Sequence, residues 1–465
     1  MSNNLINPED KFWSENQNGQ VQLNNFKFRR FLEMKDYFKN RPNENSTFNI
    51  IQKNDIFLEI KDEVDVKDFV LDYVLNNSLG EQVYNLLTSK VTTFKRDFLS
   101  QISTKEIEIL KDTKDTCYLF YQNGVVEVKK DSQTLKDYSD YGLSIWKDQV
   151  IKRDYINSDH HQSEFRTFVW KISGENIDRY NTFQSVIGYL IHSYKSKGDN
   201  KAIILNDEMI SDEPNGRSGK GLFWNALSNL KKVQSIDGKK FSFQDQFPYQ
   251  SIKTDCQVLV FDDVKRNFAF ENLFSVITEG IEITYKGQNT IKLPVEDSPK
   301  ILITTNYVLK GTGGSHDARK FEVELSTFFN ANHTPIDFFG HMLFDDWDIQ
   351  EYARFDCYMI ECVKKYLNNG LMNYESISLP FKKFELEITK DLIEIIETIK
   401  CSEWTVFDDF YQSYVQNVVK KWEAQKKNAV TRNLKKYVNF YKYKYEEVSS
   451  NGIKKFKIIK NETTR

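Results

Sequence analysis

Three short apolar runs, separated by stretches with helical periodicity, constrain this chain more than any other feature. Ala202–Leu205 reads AIIL, Cys256–Phe261 reads CQVLVF and Ile301–Ile303 reads ILI. A strand with one face in water alternates apolar and polar residues, whereas a nearly continuous apolar run belongs to a strand covered on both faces. Such runs alternating with helices predict an α/β fold built on a parallel sheet. The chain has 465 residues, more than one such layer needs, and about 100–200 residues per domain predicts two to four domains. Its 35 Phe, 24 Tyr and 7 Trp supply core material, and with only 8 Pro and 19 Gly, long disordered linkers are not expected.

The first third reads as mixed helix and strand. Val64–Leu75 places apolar residues three and four apart, which predicts an amphipathic helix. Tyr118–Val128 is two β-rich runs around Asn123-Gly124, which predicts a hairpin. Towards the other end, Pro380 opens a helix with Phe381, Phe384, Ile388, Leu392, Ile395 and Ile399 on one stripe. Trp404–Trp422 predicts another helix and Ala429–Tyr441 a basic third one. Tyr443–Ile459 then reads as a hairpin turning at Asn451-Gly452. Helices followed by a two-stranded ribbon predict a winged helix. The expected division is a mixed α/β domain over residues 1–150, the parallel-sheet core with a helical lead-in over 151–365, and a linker helix with the basic winged helix over 366–465.

Charge follows that division. The net charge is −3, yet Gln416–Arg465 carries 14 Lys/Arg against 4 Asp/Glu, a local +10 that leaves −13 for the rest. A uniformly basic binder is excluded and a locally basic module is not. No apolar run approaches the ~18 residues of a membrane span, and Met1–Asp10 lacks the pattern of a signal peptide. A soluble, cytoplasmic protein without a membrane partner is therefore expected. Cys117, Cys256, Cys357, Cys362 and Cys401 are scattered with no CxxC, which points to neither a disulfide framework nor a zinc site. His160-His161 sit in the polar stretch SDHHQSE and read as solvated loop residues.

Four segments carry chemistry. Glu213–Phe223 reads EPNGRSGKGLF. Gly216 and Gly219 let the backbone through Arg217 and Ser218 bend so that N–H groups face phosphate. Lys220 supplies a point charge for the β/γ-phosphates, and the helix beginning at Gly221 points its positive end at them. Pro214 stands where such a loop has Gly, and Gly221 where a Ser or Thr hydroxyl holds Mg²⁺; alone, the segment is equally the start of an ordinary helix. The second segment, VLVFDD, ends a buried strand in Asp262 and Asp263, at the edge where open α/β sheets bind ligands. One carboxylate, Asp262, suits the Mg²⁺ shell; the other, Asp263, suits orienting or deprotonating an attacking water. In the third, PKILITTNY, Asn306 follows another buried strand, where an amide reaches both γ-phosphate and water. In the fourth, SHDARKFEVEL, Arg319 precedes a short strand and suits charge neutralisation from a neighbouring subunit. Between the second and third lies Ile281–Leu293, a predicted hairpin with Lys286 at its tip. That tip is either a contact for a nucleic-acid backbone or a solvated turn.

In order and spacing these elements resemble helicase superfamily 3, the AAA+-related ring helicases, and most of all the helicase part of poxvirus-type and phage primase-helicases. The resemblance covers about Thr182–Phe344. It implies an AAA+-like P-loop ATPase core and an ATP-dependent replicative DNA helicase of a phage, virus or mobile element. ATP and Mg²⁺ would be its cofactors. It further implies a homo-hexamer with single-stranded DNA in the channel and duplex or fork DNA at the winged helix. By position, Gly216–Lys220 match the phosphate loop, Asp262-Asp263 the acidic motif, Lys286 the DNA-contacting hairpin lysine, Asn306 the sensor and Arg319 the arginine finger. The alternative is an initiator or loader that uses nucleotide as an assembly switch with little hydrolysis, which Gly221 favours. In the tail, Arg432, Lys435 and Lys436 share one helix face at three- and four-residue spacings and are expected to meet DNA phosphates.

Overall fold

The computed structural model describes residues 11–41, 48–196, 198, 200–209, 217–286, 290–309, 311, 313–376, 380, 382, 384, 388–418 and 424–460. The chain divides into two compact units, Met1–Tyr374 and Glu375–Arg465.

The first unit is built on five strands: β1 (Ala202–Asp207), β2 (Val233–Asp237), β3 (Val258–Val264), β4 (Lys300–Thr305) and β5 (Lys320–Leu325). Every pairing between them is parallel, in the order β2-β3-β4-β1-β5. The three apolar runs are β1, β3 and β4. They are apolar throughout because both faces are covered. Ile203, Leu205, Val258, Val260, Leu302 and Val323 point into one core; Ala202, Ile204, Leu259, Phe261, Ile301 and Ile303 point into a second on the opposite face. Each fully buried Ile or Leu contributes about 1.5–3 kcal/mol, so the sheet is the main source of cohesion. Strand β2, with the sequence VQSID, went unpredicted. It is an edge strand of intermediate burial and lacks the apolar run.

Four helices cover the first face: α1 (Glu164–Ile172), α2 (Ile177–Ile191), α3 (Lys220–Ser228) and α4 (Ile349–Asn369). Asn176 starts α2 by accepting from the N–H groups of Asp178 and Arg179. Helix α2 lies against α4 at Gly188, where an added Cβ would stand 2.1 Å from the Cys362 carbonyl oxygen. Only glycine permits that approach.

Ahead of the sheet, Tyr37–Asn40, Asn49–Asn54, Phe57–Lys61 and Ile145–Trp146 form a four-stranded sheet, and Cys117–Tyr121, Gly124–Val128 and Gln133–Lys136 a three-stranded one. The predicted amphipathic helix is Glu63–Asn76; Asp62 and Asp65 close a capping box, and Val66, Val70 and Val74 are buried. The predicted hairpin forms, but its loop is Gln122-Asn123, one residue earlier than expected, because Tyr121 pairs with Gly124. The Asn123 amide is committed to the Tyr155 backbone (Nδ2–O 3.0 Å, Oδ1–N 2.9 Å). A Cβ at Gly124 would meet the Lys136 oxygen at 2.5 Å, so the glycine serves strand packing. His160-His161 open a short 3-10 turn capped by Asp159.

In the second unit, helix Lys390–Glu397 precedes strand Thr405–Val406, helix Phe407–Asn417, helix Lys427–Phe440 and the hairpin Lys444–Ser450/Ile453–Ile459. The short strand pairs with Ile453–Ile459, giving a three-stranded sheet. Asn451 (φ 53°) and Gly452 (φ 78°) make the predicted turn. Two expectations are corrected. The single helix from Pro380 to Ile399 is interrupted at Thr389, whose φ is 72°, and Phe381 lies outside the described residues. The helix expected from Trp404 begins at Phe407, because Thr405 and Val406 are taken into the sheet; Trp422 lies outside the described residues. No described helix is long and apolar enough to cross a membrane.

Replacing Gly188 with Ala should cost about 1–3 kcal/mol of stability through overpacking of α2 on α4. Denaturant unfolding checks this; an unchanged midpoint would show that the two helices can separate freely.

Candidate active site at the carboxyl edge of the sheet

The strand order places β1 beside β4, while the chain leaves β1 for the far edge at β2. This is a switch point, and the crevice outside the carboxyl ends of the strands at such a point is where open α/β sheets take ligands. The predicted residues converge there. Gly219 (φ 99°) is left-handed and starts α3. A side chain at Gly219 would also strike the Phe168 ring at 2.8 Å, so turn and packing both require glycine. Ser218 is buried and Arg217 (φ 80°) is exposed. Gly216 lies outside the described residues.

Lys220, the first residue of α3, reaches back to the strand ends. Its Nζ donates to Asp207 Oδ2 at 2.5 Å and to Asn306 Oδ1 at 2.7 Å. The side chains of Lys220 and Asp207 are 13% and 14% exposed, so the pair is largely withdrawn from water. Asp207 ends β1 and was not among the predicted site residues. Beside it, the Asn206 side chain is fully buried, and neither of its amide atoms has a partner among the described residues.

The two acidic residues occupy different environments. At the end of β3 the register with β4 shifts between Phe261 and Val264. This irregularity turns Asp263 to φ 55°, a conformation that a non-glycine residue adopts at a cost. Thr304 of β4 connects the two: its Oγ1 donates to Asp262 Oδ1 at 2.6 Å and accepts from the Asp263 N–H at 2.7 Å. Both are half-buried, and Asp263 is ion-paired with Lys239, just beyond β2. Neither Thr304 nor Lys239 was foreseen. Each is visible only once β2, β3 and β4 are adjacent. Asp262 and Asp263 present the hard oxygen donors that Mg²⁺ takes, whereas Gly221 offers none.

Five other predicted residues are carried by other elements. Arg319 precedes β5, and its carbonyl accepts from Ala202 N at 2.8 Å, at the amino end of β1. Roughly 17 Å of strand separates that end from Asp207. Arg319 donates to the Ser315 carbonyl at 3.0 Å and sits 4.7 Å above the Phe274 ring. It does not reach the Lys220 site of its own chain. Lys286 is exposed beyond the hairpin Gly280–Ile283/Ile291–Pro294, and residues 287–289 lie outside the described residues. Arg432, Lys435 and Lys436 are exposed on helix Lys427–Phe440, opposite buried Val430, Leu434 and Tyr437. The basic surface there is partly neutralised. Lys435 and Lys454 approach Glu447 at 3.2 and 3.6 Å, and Lys457 approaches Glu446 at 2.8 Å.

No protein-family model matches this chain, and no curated protein matches it. Among solved structures, the NrS-1 C-terminal region in its apo form is similar over 92% of this chain and 98% of its own, at 9% identity and a TM-score of 0.45. The JCV helicase is similar over 48% of this chain and 64% of its own, at 14% identity and a TM-score of 0.23. A full-length MCM homolog from Methanopyrus kandleri is similar over 83% and 92%, at 8% identity and a TM-score of 0.24. At these values the likenesses are to shape alone, and the chemistry of the site rests on its own geometry.

A Cβ at Gly221 would have nothing within 4 Å, so a serine fits there without strain. A crevice that takes nucleotide with Mg²⁺ would gain a hydroxyl ligand from Gly221→Ser, and its turnover should rise several-fold. Unchanged turnover over a Mg²⁺ titration would show that the metal is held without this position.

Proposed function

We propose that the chain is an ATP hydrolase of the P-loop type that works as a ring-forming DNA helicase. One observation carries this reading: Lys220, at the mouth of a helix, meets Asp207 and Asn306 at the switch point of a parallel sheet, with Asp262 and Asp263 on the adjacent strand end. A phosphate group entering in front of Gly219 would take over Lys220 from Asp207, so that the amine exchanges one anion for another. The N–H groups of Arg217–Lys220 and the amino end of α3 favour the same charge. Asp262, oriented by Thr304, would hold Mg²⁺, which supplies charge neutralisation on the phosphate oxygens. Asp263 would orient or deprotonate the attacking water, and Asn306, released by Lys220, would contact the γ-phosphate.

The position of Arg319 at the opposite edge of the sheet fits a role in a neighbour's site and not in its own. In this reading residues 1–150 form an accessory domain, 151–365 the motor, and 366–465 a linker and winged helix. Lys286 would touch the translocating strand. Arg432, Lys435 and Lys436 would hold duplex or fork phosphates. Gly221 and the Lys239–Asp263 pair favour a second reading, an initiator or loader in which nucleotide acts as an assembly switch.

DNA-stimulated ATP turnover separates the two. The helicase reading expects stimulation by single-stranded DNA, lost with Lys220→Ala; nucleotide binding without stimulated turnover leaves only the switch. For the tail, Arg432, Lys435 and Lys436 replaced together by Ala should flatten the salt dependence of duplex binding by up to roughly three units, one per phosphate contact. An unchanged slope with an intact fold would move the DNA grip elsewhere.

A further inference from the structure

Away from the crevice, the 3-10 turn ahead of α1 gathers three metal-ligating side chains, Asp159, His160 and His161. An oxygen of Asp159 and one ring nitrogen of each histidine lie within 4.8 Å of one another. No other group of three or more His, Cys, Asp or Glu does this among the described residues. In an extended segment two consecutive side chains point to opposite sides. The turn brings the imidazoles together instead, with ring centroids 4.1 Å apart and planes inclined by 35°. Asp159 sets the turn, because its Oδ1 accepts from the His161 N–H at 3.0 Å. Its second oxygen is left for a cation.

The backbone that carries the cluster is held on both sides. Ser158 N donates to Cys357 Sγ of α4 at 3.2 Å, and Arg166 Nη1 of α1 donates to the His161 carbonyl at 3.2 Å. The turn packs on α4, yet His160 is only half-buried and His161 is exposed, so an ion has access. Charge does not decide what binds. Asp159 and Glu361 of α4 are offset by Arg166 and by Lys364, which lies 2.7 Å from Glu361. Ligand type does decide it. A hard cation such as Mg²⁺ finds a single carboxylate here, whereas two imidazoles and a carboxylate suit Zn²⁺. Ligand atoms on Zn²⁺ bonds of about 2.0–2.1 Å stand about 3.4 Å apart in a tetrahedron. The present spread closes to that by rotation of the exposed His161 ring.

We infer that Asp159, His160 and His161 form a zinc site, with water completing the coordination. The site is separate from the Lys220 crevice and does not depend on the function proposed for it. It sits on the connection between the amino-terminal sheets and the parallel-sheet core. Tyr155, just ahead, is bonded to Asn123 of the three-stranded sheet, and α1, just behind, carries the Phe168 ring that underlies Gly219. A bound ion stiffens that connection.

Calorimetric titration of the untagged, chelator-treated full chain with Zn²⁺ tests the inference. Excess Mg²⁺ in the buffer competes at the carboxylates Asp262 and Asp263 and leaves imidazoles free. One Zn²⁺ should bind per chain and raise the thermal midpoint. Co²⁺ in its place should absorb visible light more strongly than hydrated Co²⁺ does. His160→Gln combined with His161→Gln removes both imidazoles from the turn. That variant should unfold at the wild-type midpoint without metal, lose at least tenfold in Zn²⁺ affinity and lose the Co²⁺ absorption. Asp159→Asn keeps an oxygen for the His161 N–H and loses the charge, so it should fold as the wild type does and bind Zn²⁺ more weakly. A wild-type chain that takes up no Zn²⁺ overturns the inference. So does undiminished affinity in the double variant, which places the ion on other side chains, and undiminished affinity in Asp159→Asn, which removes the carboxylate from the site.

Discussion

The contact on which the candidate site depends is the one between Lys220 and the ends of β1 and β4. A lysine at the start of a helix would ordinarily oppose the helix dipole, since its ammonium and the helix amino end are both positive. Here the charge is balanced by Asp207 and the Asn306 oxygen, and the whole group is largely withdrawn from water. Removing one partner of such a pair leaves an uncompensated buried charge, at a cost of about 3–5 kcal/mol. Replacing the carboxylate by a phosphate oxygen leaves none. The pair therefore holds the mouth of α3 against the sheet and, in the function proposed, keeps the amine where a phosphate would take it over.

The same economy of geometry explains why the acidic motif is split. Asp262 and Asp263 are adjacent in sequence, and in a regular strand they would face opposite sides of the sheet. The register shift after Phe261 breaks that alternation. Thr304 holds both residues from β4, while Lys239 neutralises Asp263 from beyond β2. Three strands thus contribute to one carboxylate pair, which makes the parallel order of the sheet a condition of its geometry.

How much of this the sequence discloses depends on whether the signal is local. The runs AIIL, CQVLVF and ILI announce buried strands because covering both faces leaves no room for polar alternation, and all three lie in the parallel sheet. The turn at Asn451-Gly452 is equally local, since only residues tolerant of positive φ serve there. Strand β2 escaped because an edge strand needs no apolar run, and its packing partners lie over 20 residues away. Asp207, Thr304 and Lys239 escaped for the related reason that each acquires its role from a neighbour distant in sequence. The Thr389 interruption was hidden by an apolar stripe that continues on both sides of it, and the shift of the Asn123 loop by a long-range bond to Tyr155.

Equilibrium binding of ATP tests the proposed exchange of Asp207 for phosphate at Lys220 most directly. Calorimetry with a non-hydrolysable ATP analogue should find one site per chain in the wild type. Affinity should fall by at least tenfold in Lys220→Ala, with the unfolding transition of the variant still cooperative. Equal affinity in the two proteins would place the nucleotide somewhere other than the switch point and contradict the reading of the site.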